Sequence, residues 1–346
     1  MQAVMLKPEH KLALEQVPKP SIDGPGQILV KVTTTAICGS DLHIKYGEIP
    51  ILPGTVIGHE FVGVVEQAAP DVRLFKPGDR VDVPACMWCG CCPSCQRGQV
   101  QYCETGGVWG GGFFMGRPMP GAQTEYVVVP GADLCAVPIP ENVSDEQAIL
   151  VGDVWGTGYH AVLEGGVGPG DTVVVFGCGP VGLCAIASAR LFSPARLYAV
   201  DVLPNRLAIA EKFGAQVIDA SQVDPVSHIL TETDMAGADV AIEAVGLTTT
   251  FNHGLGVLRR GGTLSIVGLF AEPVELGLPI LGLSGVRISM GLGNLGHMRK
   301  LMNLLEQQRV DLSPLTTHTF PLSEAMEAYE LFEYHKDKCI KVMLKP

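Results

Sequence analysis

Positive charge is scarce in this chain. Among its 346 residues, 24 lysines and arginines face 36 aspartates and glutamates, leaving a formal net charge of −12 and a pI near 5.2. Nucleic acid is therefore excluded as an expected partner, because a polyanion needs a basic footprint. No block of like charges forms an interaction tail, and there is no internal repeat or low-complexity segment. An uninterrupted spanning run is also missing. Thr172 to Ala189 is free of charge, but its first half is β-branched and Gly177, Gly179, Pro180 and Gly182 break its middle. A strand, a turn and a buried helix are expected there, and no membrane contact. Met1 to Lys7 hold no apolar core followed by a small-residue cleavage site, so no secretory leader is expected. Nor do the eleven cysteines read as a disulfide framework. Most sit at metal-like spacings, which suits a reducing cytoplasm.

What is present divides in two. Glycine (42) and proline (25) are abundant, so turns and close backbone approaches are expected. A chain of this length is long for one core, and two domains are the natural expectation. Up to about residue 150, short β-branched runs (Ile28–Val32, Phe61–Val65, Arg80–Val83, Glu125–Val129) alternate with Gly and Pro and predict an irregular, mainly β unit. Ser144-Asp145-Glu146-Gln147 has the form of a capping box and predicts a helix start. From about 171, strands and helices alternate: strands at Thr172–Phe176, Arg196–Val200, Gln216–Asp219, Ala238–Ala244 and Gly262–Val267, helices at Val181–Leu191 and Pro204–Phe213. That order predicts a doubly wound parallel sheet, so the fold class is α/β. Helices at Leu295–Gln308 and Glu324–Phe332 and a strand at Cys339–Leu344 close the chain.

Cys89, Cys92, Cys95 and Cys103 place two C-x-x-C steps and a fourth thiol on one short loop. Four thiolates with no position left for water describe a structural tetrahedral zinc. Cys38-Gly39-Ser40-Asp41-Leu42-His43 and Gly58-His59-Glu60 supply a looser set. Thiolate and imidazole select zinc, although Cys38 alone reads equally as a small buried apolar residue and His59 alone as a core histidine. Asp153 is a charge in an apolar, glycine-rich stretch, where a cation would neutralise it. It reads alternatively as a cap for the following turn.

Gly177-Cys178-Gly179-Pro180-Val181-Gly182 follows an apolar strand and opens a helix, the context a dinucleotide fingerprint requires. The glycines allow the tight turn, backbone approach to a pyrophosphate and close helix–strand packing, and the helix N-terminus receives the phosphates. Asp201, 19 residues after Gly182, ends the next strand where a carboxylate accepts from the adenosine ribose and repels a 2′-phosphate. NAD is expected over NADP. The alternative is a solvated Asp201 with Arg206 gripping a phosphate.

Taken together these motifs resemble the zinc-dependent medium-chain dehydrogenase/reductase family, the alcohol dehydrogenases in particular, along essentially the whole chain. Asp153 stands where many members have cysteine, as in a bacterial secondary-alcohol and formaldehyde-dehydrogenase-like subset, which the segment Gly112 to Tyr126 also resembles. The resemblance implies a GroES-like catalytic domain over residues 1–153 and 291–346 and a Rossmann NAD-binding domain over 154–290. It implies two zincs per chain: a catalytic one on Cys38, His59 and Asp153, with Glu60 as an alternate ligand, and the structural one. It further implies Asp41 behind His59, Ser40 passing a proton toward His43, and Thr157 and Val245 beside the cofactor. Ala85, Phe113, Trp155 and Leu292 become substrate-pocket candidates, each equally readable as packing, and His43 also reads as a plain surface imidazole. Hydride transfer between an alcohol and NAD by a homotetramer, or alternatively a dimer, is the implied function. A polyol or threonine dehydrogenase is the rival on the same fold. A zinc-free quinone reductase or a non-catalytic NAD-binding redox sensor is the rival of another class, and both leave Cys38, His59 and Asp153 without a shared purpose.

Overall fold

The computed structural model describes residues 1–112 and 116–346, so Phe113 lies outside the described residues. The chain forms two compact units, one of residues 1–156 and 294–346 and the other of residues 157–293.

The first unit is built on a seven-stranded mixed sheet. Its strands run in the order Thr316–Pro321, Lys341–Lys345, Ile28–Ile37, Phe61–Ala68, Arg80–Val83 and Val137–Pro138, with Tyr126–Val129 also paired to Ile28–Ile37. Ile28–Ile37 is buried at nearly every position, as a β-branched strand covered on both faces should be. Apolar clusters around Phe61 and Trp109, and around Ile37 and Tyr329, fill the two sides. Three pairings bring distant segments to one end of this sheet. Phe61 lies opposite Thr35, so His59 and Glu60 arrive beside the end of the strand that leads into Cys38. Val342 lies opposite Ile37, which carries Lys341 to the same end. Phe61 also pairs with Val83, and the Ala85 N–H donates to the Gly152 carbonyl at 2.9 Å, which delivers Asp153.

Ser144 caps the helix Asp145–Val151 by accepting from the Gln147 N–H at 3.3 Å. Only half of the expected capping box is made, because the Gln147 side chain accepts instead from the Leu312 N–H at 3.3 Å. The tertiary partner wins a carbonyl that sequence proximity assigned to the cap.

The second unit is a six-stranded parallel sheet ordered Gln216–Asp219, Arg196–Asp201, Thr172–Phe176, Ala238–Glu243, Leu258–Ile266 and Arg287–Met290. In sequence numbering within the sheet this is 3-2-1-4-5-6, the order of a dinucleotide-binding sheet whose ligand crevice opens where the winding reverses. The reversal falls between Thr172–Phe176 and Ala238–Glu243. The charge-free stretch from Thr172 is here a strand, the glycine turn and the buried helix Pro180–Arg190. No helix among the described residues is long and apolar enough to cross a membrane. The sixth strand, Arg287–Met290, escapes the sequence pattern, because its mostly exposed edge positions carry no clean alternation.

Candidate metal centres and cofactor crevice

Cys38 follows the strand Ile28–Ile37 and stands directly before the helix Gly39–Lys45. Its Sγ, the His59 Nε2 and one oxygen each of Glu60 and Asp153 all lie within 4.8 Å of one another. Asp153 Oδ2 is 3.4 Å from His59 Nε2 and 3.7 Å from Cys38 Sγ. Zinc at its usual bond lengths holds tetrahedral N, O and S donors about 3.3–3.8 Å apart, so these spacings suit that ion. His59 turns its other nitrogen, Nδ1, toward Asp41 Oδ1 at 3.6 Å. Asp41 is fully buried and is itself held by the Cys38 N–H at 2.9 Å and the Gln123 Nε2–H at 3.0 Å. Ser40 Oγ is 3.4 Å from His59 Nε2.

Charge explains why this cluster calls for a cation. Lys341, fully buried, is ion-paired with Glu60 Oε1, while Glu60 Oε2 is buried and makes no hydrogen bond among the described residues. Lys341 therefore offsets Glu60, and with His59 neutral, as a metal ligand must be, the Cys38 thiolate and the Asp153 carboxylate would stand as two uncompensated negative charges. Unpaired charges in such a setting cost several kcal/mol each, and one divalent ion balances both. The strain shows in the protonation of the protein alone. Burial pushes the Cys38 thiol up, with only partial relief from Lys341. Burial likewise lifts Glu60 to about 7 despite Lys341. Burial works against the charge of His59 too, but the Cys38 thiolate and Asp153 outweigh it and raise His59 well above its ordinary value. Asp153 stays down at about 2, because its hydrogen bond and attraction to His59 overcome its burial.

The second cluster is the cysteine loop. The sulfurs of Cys89, Cys92, Cys95 and Cys103 lie within 4.8 Å of one another, with Cys92 and Cys103 at 3.9 Å. Four thiolates around zinc stand about 3.8 Å apart. Backbone N–H groups already favour the anions: Cys92 donates to Cys89 Sγ at 3.3 Å and Cys89 to Cys103 Sγ at 3.2 Å. The Cys91 N–H, the Thr105 hydroxyl and the Cys92 N–H pull the Cys89 thiol down to about 5.

In the second unit, Gly182 packs so tightly that a Cβ there would stand 1.8 Å from the Gly177 carbonyl oxygen, while one at Gly177 would meet the Val245 side chain at 2.4 Å. Gly177 and Val245 thus line the reversal point together. At Gly179 the nearest atom to such a Cβ is Arg206 Nη1, 3.8 Å away, so a guanidinium overlooks the open turn between Gly179 and the helix begun by Pro180 and Val181. Asp201 accepts three backbone N–H groups, from Cys178 and Val202 at 2.7 Å and Leu203 at 2.9 Å. A carboxylate has about four acceptor sites, so one remains for a ligand hydroxyl. Arg206 stands 3.9 Å from it. Thr157 belongs to this unit and packs against Gly293.

The remaining sequence candidates fall as follows. His43 is half-exposed and paired with Glu48. Ala85 is buried and Trp155 fully buried in the first unit, and Leu292 is exposed in the second. Sequence reasoning missed Lys341, Gln123 and Tyr329, whose hydroxyl donates to Gln123 Oε1 at 2.8 Å. Only Lys341 left a trace: a lone cation inside the apolar run Ile340 to Leu344 of a strand buried at four of five positions.

Comparison with known proteins agrees with this architecture. Residues 24–141 match the alcohol dehydrogenase GroES-like domain and residues 180–307 the zinc-binding dehydrogenase domain. An alcohol dehydrogenase of Cupriavidus necator is 36% identical, covering 100% of this chain and 99% of its own. A sorbitol dehydrogenase of Bacillus subtilis is 31% identical, over 100% and 97% respectively. The solved alcohol dehydrogenase TADH from Thermus sp. ATN1 superposes with a TM-score of 0.94 at 38% identity, over 100% of this chain and 99% of the other. With the family's two domains in place and a relative matched end to end, this chain belongs to the zinc-dependent alcohol dehydrogenase family.

Proposed function

We propose that this protein is an NAD-dependent zinc alcohol dehydrogenase that interconverts an alcohol with its aldehyde or ketone. One observation carries the reading: Cys38, His59, Glu60 and Asp153 converge within 4.8 Å although up to 115 positions separate them in the chain. In this reading Cys38, His59 and Asp153 hold the catalytic zinc with Glu60 in reserve, and the four-cysteine loop holds the structural one. When bound, the two cofactors supply Lewis acidity toward an alcohol or carbonyl oxygen and an acceptor or donor of hydride.

The chain's own residues do the rest. Asp41 sets a carboxylate oxygen 3.6 Å from His59 Nδ1, which favours the proton on that nitrogen and leaves Nε2 to face the cluster. Ser40, at hydrogen-bond reach of that side of the imidazole, is positioned to take the substrate's hydroxyl proton and pass it outward toward the half-exposed His43, which is paired with Glu48. Lys341 holds the Glu60 carboxyl group by its Oε1. Asp201 spends its one remaining acceptor site on the adenosine ribose, and Arg206 meets the pyrophosphate over Gly179. Thr157 and Val245 border the nicotinamide side. Ala85 and Trp155, buried in the first unit, remain candidates for the wall of an apolar substrate site. Cysteines used as ligands suit a cytoplasmic enzyme. A homo-oligomer is supported by the strand Arg287–Met290, which among the described residues pairs on one side only and bears the exposed Ile288 and Met290. A second copy would cover that edge.

Metal analysis joined to a steady-state panel of secondary butanol, benzyl alcohol, sorbitol and threonine tests the assignment. About two zincs per chain and turnover of the monohydric alcohols are expected. Preference for sorbitol or threonine moves the enzyme to the rival substrate class, and absence of turnover with NAD bound moves it to a redox sensor. The cofactor has its own test. Asp201→Gly should narrow the NAD over NADP preference in kcat/KM by about 10- to 100-fold, the worth of a charge-assisted hydrogen bond of about 1.5–3 kcal/mol. An unmodified enzyme that uses both cofactors equally would refute the role of Asp201.

A further inference from the structure

Cys91 lies inside the zinc loop without belonging to its ligand set. Of the eleven cysteines it alone is exposed. Its S–H donates to Cys89 Sγ at 3.6 Å, and the residue between them, Gly90, has φ +73°, a left-handed turn that folds position 91 back onto position 89. The four ligand sulfurs are half-buried, and those of Cys89, Cys92 and Cys103 are already engaged by backbone N–H groups or a neighbouring sulfur. Cys91 is exposed and its described sulfur contact is the one to Cys89. An oxidant too bulky to enter the loop therefore meets Cys91 first, with a metal-ligating sulfur already behind it.

We propose that Cys91 is a thiol-modification site through which a small-molecule disulfide opens the structural metal site. The inference rests on the reading of the loop as a zinc site. In the first step the Cys91 sulfur, giving its proton to solvent, attacks the reagent; the reagent's S–S bond breaks, one thiolate leaves and a mixed disulfide forms on Cys91. In the second step Cys89 attacks the Cys91 sulfur; the mixed disulfide breaks, the second thiolate leaves and a Cys89–Cys91 disulfide forms. Two protein sulfurs lose two electrons in all and the reagent gains them. Closing the pair from 3.6 Å to a disulfide's roughly 2.05 Å takes Cys89 out of the ligand set, and a three-thiolate site releases its ion.

The zinc-loaded full-length protein, its metal content measured first, is treated with the aromatic disulfide dithiobis(nitrobenzoic acid). Released thiolate and released zinc are followed together by absorbance, the zinc with pyridylazoresorcinol. The native chain should release two thiolates per chain in one fast phase with one zinc, and peptide mass should place the new disulfide between residues 89 and 91. Cys91→Ser and Cys91→Ala, changed at an exposed position outside the ligand set, should lose the zinc at least about tenfold more slowly. Zinc lost equally fast from both variants, or a stable mixed disulfide on Cys91 with zinc retained, overturns the inference. A loop that holds no zinc before treatment overturns instead the reading on which it rests.

Discussion

Lys341→Met is expected to destabilise the first unit by about 3–5 kcal/mol, the usual cost of deleting one partner of a buried ion pair. Neither side chain of the Lys341–Glu60 pair is exposed at all, so water cannot take over the role of the missing ammonium. Methionine fills a comparable volume with a flexible apolar chain, which confines the loss to charge rather than to a cavity. The measurement is a urea unfolding midpoint on the zinc-loaded protein. Lys341→Arg should recover much of the loss, since it restores the cation in a larger shape. The Glu60→Gln, Lys341→Met double variant should be less destabilised than Lys341→Met alone, because no uncompensated carboxylate remains. An unfolding midpoint for Lys341→Met equal to that of the native chain would show that the pair contributes nothing and that Glu60 finds its charge balance elsewhere in the cluster.

Asp153→Asn should separate the two metals. The amide keeps the size of the side chain and removes its charge, leaving one thiolate where a thiolate and a carboxylate had balanced a dication. Metal analysis should fall from about two zincs per chain toward one, with kcat/KM lowered by more than about 100-fold, since even an outer-shell change costs about 10- to 100-fold. NAD binding should be unchanged, because the glycine turn and Asp201 belong to the other unit. Asp153→Cys should restore the metal, as thiolate carries the same charge and zinc accepts sulfur. Asp153 also stands directly before the helix Val154–Gly165, where asparagine caps as well as aspartate. A fully metallated, near-normal Asp153→Asn enzyme would assign Asp153 to that cap and leave Glu60 as the third ligand.

Where an arrangement is written in neighbouring residues, the sequence was enough to place it. The cysteine loop is legible from its spacing, because two C-x-x-C steps within a run of fifteen positions (89 to 103) match the ligand spacing of a four-thiolate site. The glycine fingerprint is equally local: strand, turn and helix follow one another without a gap, and the alternation after residue 171 then leaves few topologies open. Even the strand limits Arg80–Val83, Thr172–Phe176 and Gln216–Asp219 match the hydrophobic pattern residue for residue.

Tertiary structure alone decided the rest, and the reason is distance along the chain. Nothing near Glu60 in sequence foretells that Lys341, 281 positions away, neutralises it. That follows only when Val342 pairs with Ile37 while Phe61 pairs with Thr35. The same pairings bring Cys38 to His59, and the Gly152 carbonyl's bond to Ala85 adds Asp153. Gln147 shows the opposite outcome, a local capping signal surrendered to Leu312. Short-range chemistry was thus determined by the order of residues. The charge balance of the candidate catalytic cluster was determined by strand register, because a sheet sets side by side what the chain keeps far apart.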